Sequence, residues 1–145
     1  SAGYGPGNPL RFELRFPTGA TNERVALAAA AMWKSALGVE AKLVPEEFKS
    51  LLQSINRGET QLFRASWVAD YNDANTFLQL LASDFGINLP RYRSAEYDAL
   101  LRAAAGTADP AERRERLQAA ERRLLADAPG MPLYFFVNKH LVAPR

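Results

Sequence analysis

The 145-residue chain contains no cysteine and a single histidine, His140. Disulfides and thiolate metal sites are therefore excluded, and no histidine cluster can hold a zinc ion. Lack of cysteine is compatible with an oxidising compartment without requiring one. No apolar run approaches the ~18 residues of a membrane-spanning helix, and nothing at the N-terminus reads as a signal peptide. Charge of one sign is scarce too: 18 basic against 16 acidic residues leave a formal +2, too little to imply a polyanionic partner. No glycine-rich loop is present to cradle a phosphate, and no spacing of carboxylates marks a catalytic pair. No enzyme, metal or cofactor is expected.

What is present is an ordinary globular composition, 48% hydrophobic and 23% charged. At this length about 68–70% of the unfolded surface can be buried. No internal repeat or linker divides the chain, so one domain over residues 1–145 is expected. Ser1 to Pro9, with three glycines and two prolines, reads as an irregular entry segment. Leu10 to Phe16 alternates apolar and charged residues, the period of a half-buried strand. Thr21 is the expected N-cap of a helix whose apolar face is Val25, Ala29, Met32, Trp33, Ala36 and Leu37, closed by Gly38. Val39 to Val44 reads as a strand. Pro45-Glu46-Glu47 opens a helix that buries Phe48, Leu51, Leu52 and Ile55 and stops at Gly58. Leu62 to Trp67 is an apolar run of strand length. Further on, Asp73 caps a short helix with Phe77, Leu80 and Leu81. Ser83 to Arg93 is a loop, and Ser94 caps a helix with Tyr97, Leu100, Leu101 and Ala104 inward. Asp109-Pro110-Ala111-Glu112 starts a helix with Leu117, Ala120, Leu124 and Leu125 inward, and Met131 to Val137 reads as a closing strand. The alternation of strands and helices predicts an α/β fold, with a mixed sheet of about four to five strands flanked by helices.

The run from Arg64 to Asp73 carries the most chemistry. An arginine, a tryptophan and a carboxylate follow one another at the predicted end of a strand, where α/β proteins usually bind ligands. Asp70 is either a turn or cap residue or the partner of a buried cation. Arg64 in an apolar run needs solvent, an internal carboxylate or a ligand. Trp67 walls a pocket or fills the core.

The run Arg64-Ala65-Ser66-Trp67-Val68-Ala69-Asp70-Tyr71-Asn72-Asp73 closely resembles the oligopeptide- and dipeptide-binding receptors of ABC importers, extracellular solute-binding proteins of family 5. Asn88, Tyr92, Ser94, Glu96-Tyr97-Asp98 and Leu100-Leu101 resemble another family segment, as do Glu112-Arg113 with Ala120-Glu121, and Pro132-Leu133-Tyr134 with Val137-Asn138. Tyr4 to Gly7 and Leu14 to Phe16 are similar to the start of the family's second large lobe. The resemblance implies a periplasmic-binding-protein-like fold (type II, peptide-binding subgroup). It also implies that the chain is a ligand-facing lobe from within a longer two-lobe receptor, since the family carries a further lobe, a hinge and a signal peptide. The implied function is peptide capture in the periplasm, by a monomer that delivers its ligand to a membrane permease. In this family the aspartate at the place of Asp70 pairs with the peptide's α-ammonium, and basic residues near Arg64 answer its carboxylate. Ser66 and Trp67 would pair through their backbone with an extended peptide, and Tyr71 and Asn72 would shape the pocket or the turn. Phe48 stands where some relatives have tryptophan, though its helical spacing favours the core. Ile55 stands where some have a second basic residue. Tyr134 and Asn138 belong with the closing strand. Relatives of the same class take murein peptides, metal chelates or sugars, so another solute is the alternative.

A helix rich in arginine (Arg113, Arg114, Arg116, Arg122, Arg123) offers a different reading, an interaction module for phosphates. The i,i+4 pairs Asp109–Arg113 and Glu112–Arg116, with Glu115 and Glu121 interleaved, argue instead for a solvated face. No nucleic-acid partner is expected.

Overall fold

The structure is a computed structural model and describes residues 3–5 and 7–137. The chain divides into two compact units, Ser1–Ser66 and Trp67–Arg145.

The first unit runs β1 (Arg11–Pro17), α1 (Ala20–Leu37), β2 (Glu40–Glu46), α2 (Phe48–Arg57) and β3 (Leu62–Phe63). Its sheet has the order β2-β1-β3. Both pairings are parallel, in registers that set Leu14 opposite Leu43 and Arg15 opposite Phe63. The α/β class holds, but among the described residues the sheet is three-stranded and wholly parallel rather than mixed with four to five strands. Leu14, Phe16 and Ala26 form the core, with Trp33, Ala41, Leu43 and Leu62 packed on it. On α1 the buried line runs through Ala26, because small residues let helix and sheet approach closely. Met32 and Leu37, expected inward, are about 70% exposed. The helix begins one residue before Thr21, with Gly19 at the N-cap. In α2 the buried residues are Leu51, Ser54 and Ile55. That face is turned toward Ser54, which leaves Phe48 at its margin in the first turn and exposed, not in the core. Pro45 and Glu46 finish β2, and Glu47 alone caps α2 through the amides of Lys49 and Ser50.

The third strand is shorter than its apolar run. Arg15 faces β3 and accepts from the Arg64 amide at 2.8 Å. The next rung would need an N–H from residue 17, and Pro17 has none. Pairing therefore stops, and residues 64–69 form no regular structure.

The second unit holds α3 (Asn75–Leu78), a 3-10 turn (Gln79–Leu81), α4 (Ala95–Ala105) and α5 (Pro110–Asp127). Its core joins Leu78, Tyr97, Leu101, Ala104, Leu117 and Ala120. Ser94 accepts from the Tyr97 amide and Asp109 from the Glu112 amide, the two caps predicted. Asn88 closes the loop of residues 83–93: its side chain donates to the carbonyls of Ala82 and Tyr92 and accepts from the Tyr92 amide. Leu125, expected inward, is exposed. The expected closing strand is not formed. Residues 131–137 have no strand partner among the described residues, and Phe135 is 97% exposed. Asn138 and His140 lie outside the described residues.

Candidate functional site

Arg64 and Ser66 belong to the first unit. Arg64 leaves the carboxyl end of β3, beside the central strand β1, across which the chain passes from β2 on one side to β3 on the other. Such reversals are where α/β sheets open a crevice for ligands. The Arg64 guanidinium is half-buried and donates to Asn22 Oδ1 in the first turn of α1 at 2.6 Å. That contact partly offsets the cost of placing a cation in an apolar run. Ser66 is exposed, as is Ala65.

Trp67, Asp70, Tyr71 and Asn72 belong to the second unit, and all four are exposed, Trp67 at 37% and Tyr71 at 46%. Trp67 is therefore not a core residue. No hydrogen bond joins the backbone of residues 65–69 to another described residue, so these N–H and C=O groups are open to an added strand. Asp70 begins a turn with a defined hydrogen-bond pattern. Its amide donates to Thr76 Oγ1 at 3.2 Å, and the Thr76 hydroxyl lies 3.4 Å from Asp70 Oδ2 as donor. Thr76 is fully buried. Its own amide donates to the Asp73 carbonyl at 3.2 Å. The Tyr71 hydroxyl accepts from the Asn75 side chain at 3.2 Å.

Asp73, expected to cap α3, stands one residue before the N-cap, Ala74, and accepts from the Asn75 amide at 2.8 Å. It has a second role the sequence did not disclose. Arg113 of α5 grips its carboxylate with two N–H groups, at 2.7 and 3.0 Å. The guanidinium, and then the Asn75 amide, hold the Asp73 carboxyl below the usual carboxylate range. Arg113 was expected to pair with Asp109 along its own helix; the Asp109 carboxylate instead caps α5. Thr76, Arg113 and Asn22 are thus supports that sequence reading missed.

Two of the other four arginines of α5 are paired with carboxylates among the described residues. Arg116 pairs with Glu112, and Arg123 with Asp127 and Glu96. Two shallow depressions are lined by other residues altogether. One, of about 430 Å³, lies over the charged side of the sheet between Arg11, Glu13, Glu40 and Lys42. The other, of about 230 Å³, lies between Asn75, Gln79, Asp98 and Arg102. Ile55, where a second cation would stand in some relatives, is buried and brings no charge. Among the described residues no group of acidic, histidine or cysteine side chains could hold a metal ion, and no helix is long and apolar enough to cross a membrane.

Comparison with known proteins gives this geometry its context. The murein peptide-binding protein MppA of Escherichia coli, a periplasmic protein, is 40% identical over 144 residues, 99% of this chain and 27% of the relative. The periplasmic oligopeptide-binding protein OppA of the same organism is 34% identical over 143 residues, 99% of this chain and 26% of the relative. The solved structure of the Escherichia coli murein tripeptide binding protein MppA superposes with a TM-score of 0.84 at 41% identity, covering 88% of this chain and 25% of that one. The chain thus spans about a quarter of the length of these relatives. Residues 1–88 match the model of the bacterial extracellular solute-binding proteins, family 5, middle region, and the chain belongs to that family.

Proposed function

We propose that this chain is the ligand-facing part of a two-lobe receptor that captures peptides in the periplasm and hands them to the membrane permease of an ABC importer. The observation that carries the reading is Asp70, an exposed carboxylate on a turn anchored to a fully buried threonine. A carboxylate so held suits a peptide's α-ammonium, because charge-assisted hydrogen bonds are about twice as strong as neutral ones. They gain further when closure of the lobes removes water. The open backbone groups of residues 65–69 suit an extended peptide, and main-chain pairing tolerates varied sequences. Arg64 answers the peptide's carboxylate, and Trp67, Tyr71 and Asn72 shape the surroundings of the amine. The relatives named for peptide binding support the same ligand class. Binding, not catalysis, is the whole activity, and the working receptor is a monomer.

The test is calorimetry on the full-length receptor with free-amine peptides and their N-acetylated counterparts. Asp70→Asn keeps shape and removes charge. Breaking one partner of a desolvated pair costs about 2–5 kcal/mol, an affinity loss on the order of 30-fold to several thousand-fold for free-amine peptides. Acetylated peptides should bind the wild type poorly and lose little more on mutation. Equal losses for both would return Asp70 to the role of a turn residue.

A further inference from the structure

We propose that Thr76 and Arg113 are positioning residues for the Asp70 carboxylate: the buried threonine sets its direction, and the Arg113–Asp73 clasp holds the turn that carries the threonine. The inference rests on Asp70 being the group that meets the peptide amine.

An exposed aspartate after five residues with no backbone hydrogen bond to the described chain would ordinarily sample many directions. Here the turn from Asp70 to Thr76 is closed at both ends. The Asp70 amide donates to Thr76 Oγ1 at 3.2 Å, which leaves the hydroxyl hydrogen free to point at Asp70 Oδ2, 3.4 Å away. That second contact is long for O–H···O, so the amide bond sets the place and the hydroxyl biases the rotamer. Thr76 is fully buried, so its hydroxyl has no water to turn to. Its amide is tied in turn to the Asp73 carbonyl at 3.2 Å. The Asp73 carboxylate is then clamped by the Asn75 amide and by both terminal nitrogens of Arg113. Arg113 sits in the first turn of α5, an 18-residue helix whose Leu117 and Ala120 are buried in the core. Asp70 is thereby connected to α5 through a short relay of backbone and side-chain hydrogen bonds.

Preorganisation of this kind raises affinity by reducing the ordering needed on binding. It also makes a prediction that a merely structural role does not. Loss of the Thr76 hydroxyl should weaken the receptor's preference for a free amine over an acetylated one, beyond any loss of melting temperature.

The experiment uses the full-length receptor with a mixed tripeptide pool and the same pool N-acetylated, and reads the affinity ratio between them. Wild type should favour the free-amine pool, and Asp70→Asn should abolish the preference. Thr76→Val, nearly isosteric, should lower the ratio by about three- to tenfold, as expected for one weak hydrogen bond to a charge. Thr76→Ser keeps the hydroxyl and should keep the ratio. Arg113→Met, at a partly exposed site, should lower the ratio by about threefold, less than Thr76→Val because it acts one step further away; it also decides the matter if Thr76→Val does not fold. An unchanged ratio in Thr76→Val, or in Arg113→Met alone if the valine variant is unfolded, while Asp70→Asn abolishes it, overturns this inference and leaves the peptide reading intact. A wild type without preference, or an Asp70→Asn variant that retains it, overturns both.

Discussion

The two units of this chain obtain their order in different ways. In the first, the backbone does most of the ordering: β1 is paired on both sides, and its register with β2 and β3 decides which side chains meet. One side of that sheet is apolar. The other is charged, with Glu13 between Arg15 and Lys42 at 2.9 and 2.8 Å, and Arg15 reaching Glu46 at 3.0 Å. In the second unit no strand is formed among the described residues, and side chains do the ordering instead. Asn88, Ser83, Ser94 and Asp98 tie loop amides and carbonyls, and the Tyr97 hydroxyl reaches into the core to the Leu78 carbonyl at 2.6 Å. The lesson concerns the family segments. Asn88, Tyr92, Ser94, Tyr97 and Asp98, which carry much of the resemblance downstream of Asp70, take part in the hydrogen bonds that hold a loop and a helix pair.

If that contrast is right, core truncations should act unit by unit. Phe16→Ala in the first unit and Tyr97→Ala in the second should each cost about 3–5 kcal/mol. Native-state hydrogen exchange should show protection falling mainly within the mutated unit. Loss of protection spread equally over both would merge them into one cooperative domain and break the comparison.

Tyr97→Phe probes the side-chain ordering more finely. The ring, packed edge-on against Tyr92 with centroids 5.5 Å apart, stays in place, but the buried Leu78 carbonyl loses its donor. Urea denaturation should register about 1–3 kcal/mol of destabilisation. The same burial raises the pKa of Tyr97 well above that of free tyrosine, with Tyr92 and Asp98 as lesser causes, so its hydroxyl remains a donor across the accessible pH range.

Helix ends provide a matched pair of opposite sign. Gly38 closes α1 in the left-handed region at φ 68°, with open space around it. Ala128 closes α5 in the same region at φ 50°. Gly38→Ala should destabilise by about 1 kcal/mol. Ala128→Gly should stabilise by about 0.5 kcal/mol, the relief of strain being offset by the greater freedom of glycine when unfolded. Thermal melts of the two variants check both signs at once.

The smallest effect expected is on acid stability, because the pairs involved are largely exposed. Lys42, and then Arg15, hold the Glu13 carboxyl below its ordinary value, as Arg113 does for Asp73. A carboxylate depressed on folding adds stability above its unfolded pKa, and that contribution disappears as pH falls through the folded value. Lys42→Met and Arg113→Gln should therefore be less stable than wild type at neutral pH, with the difference vanishing well below the ordinary aspartate value of 3.8. A difference that persists unchanged in strong acid would show that the loss lies in packing rather than charge.

Much of this molecule is local, and what is local was legible. Ser94 and Asp109 cap helices because their side chains reach an amide three residues on, and the loop of residues 83–93 lacks a helical or alternating apolar period and carries Gly86 and Pro90. The strand Arg11–Pro17 and the class of fold follow from two periodicities. The run Arg64 to Asp73 stood out for its chemistry, and the family resemblance could be traced residue by residue, although the strand expected to carry that run ends at Phe63.

The extent of β3, the exposure of Phe48, Met32, Leu37 and Trp67, and the partner of Arg113 were not legible. Each depends on a residue distant in the chain. A strand exists only where a second backbone offers its hydrogen bonds, and Pro17 withdraws one from a segment more than forty residues later. Periodicity names an apolar stripe but does not say which part of it the rest of the fold will cover. An ion pair such as Asp73–Arg113, spanning 40 positions, forms because α5 packs its leucine and alanine face into the core and so places its first-turn arginine beside the Asp73 turn. Residue types determined by themselves that an arginine, a tryptophan and a carboxylate would follow one another in a short run. Only the tertiary packing decided what holds that carboxylate in place, since direction in space is set by buried neighbours and not by neighbours in sequence.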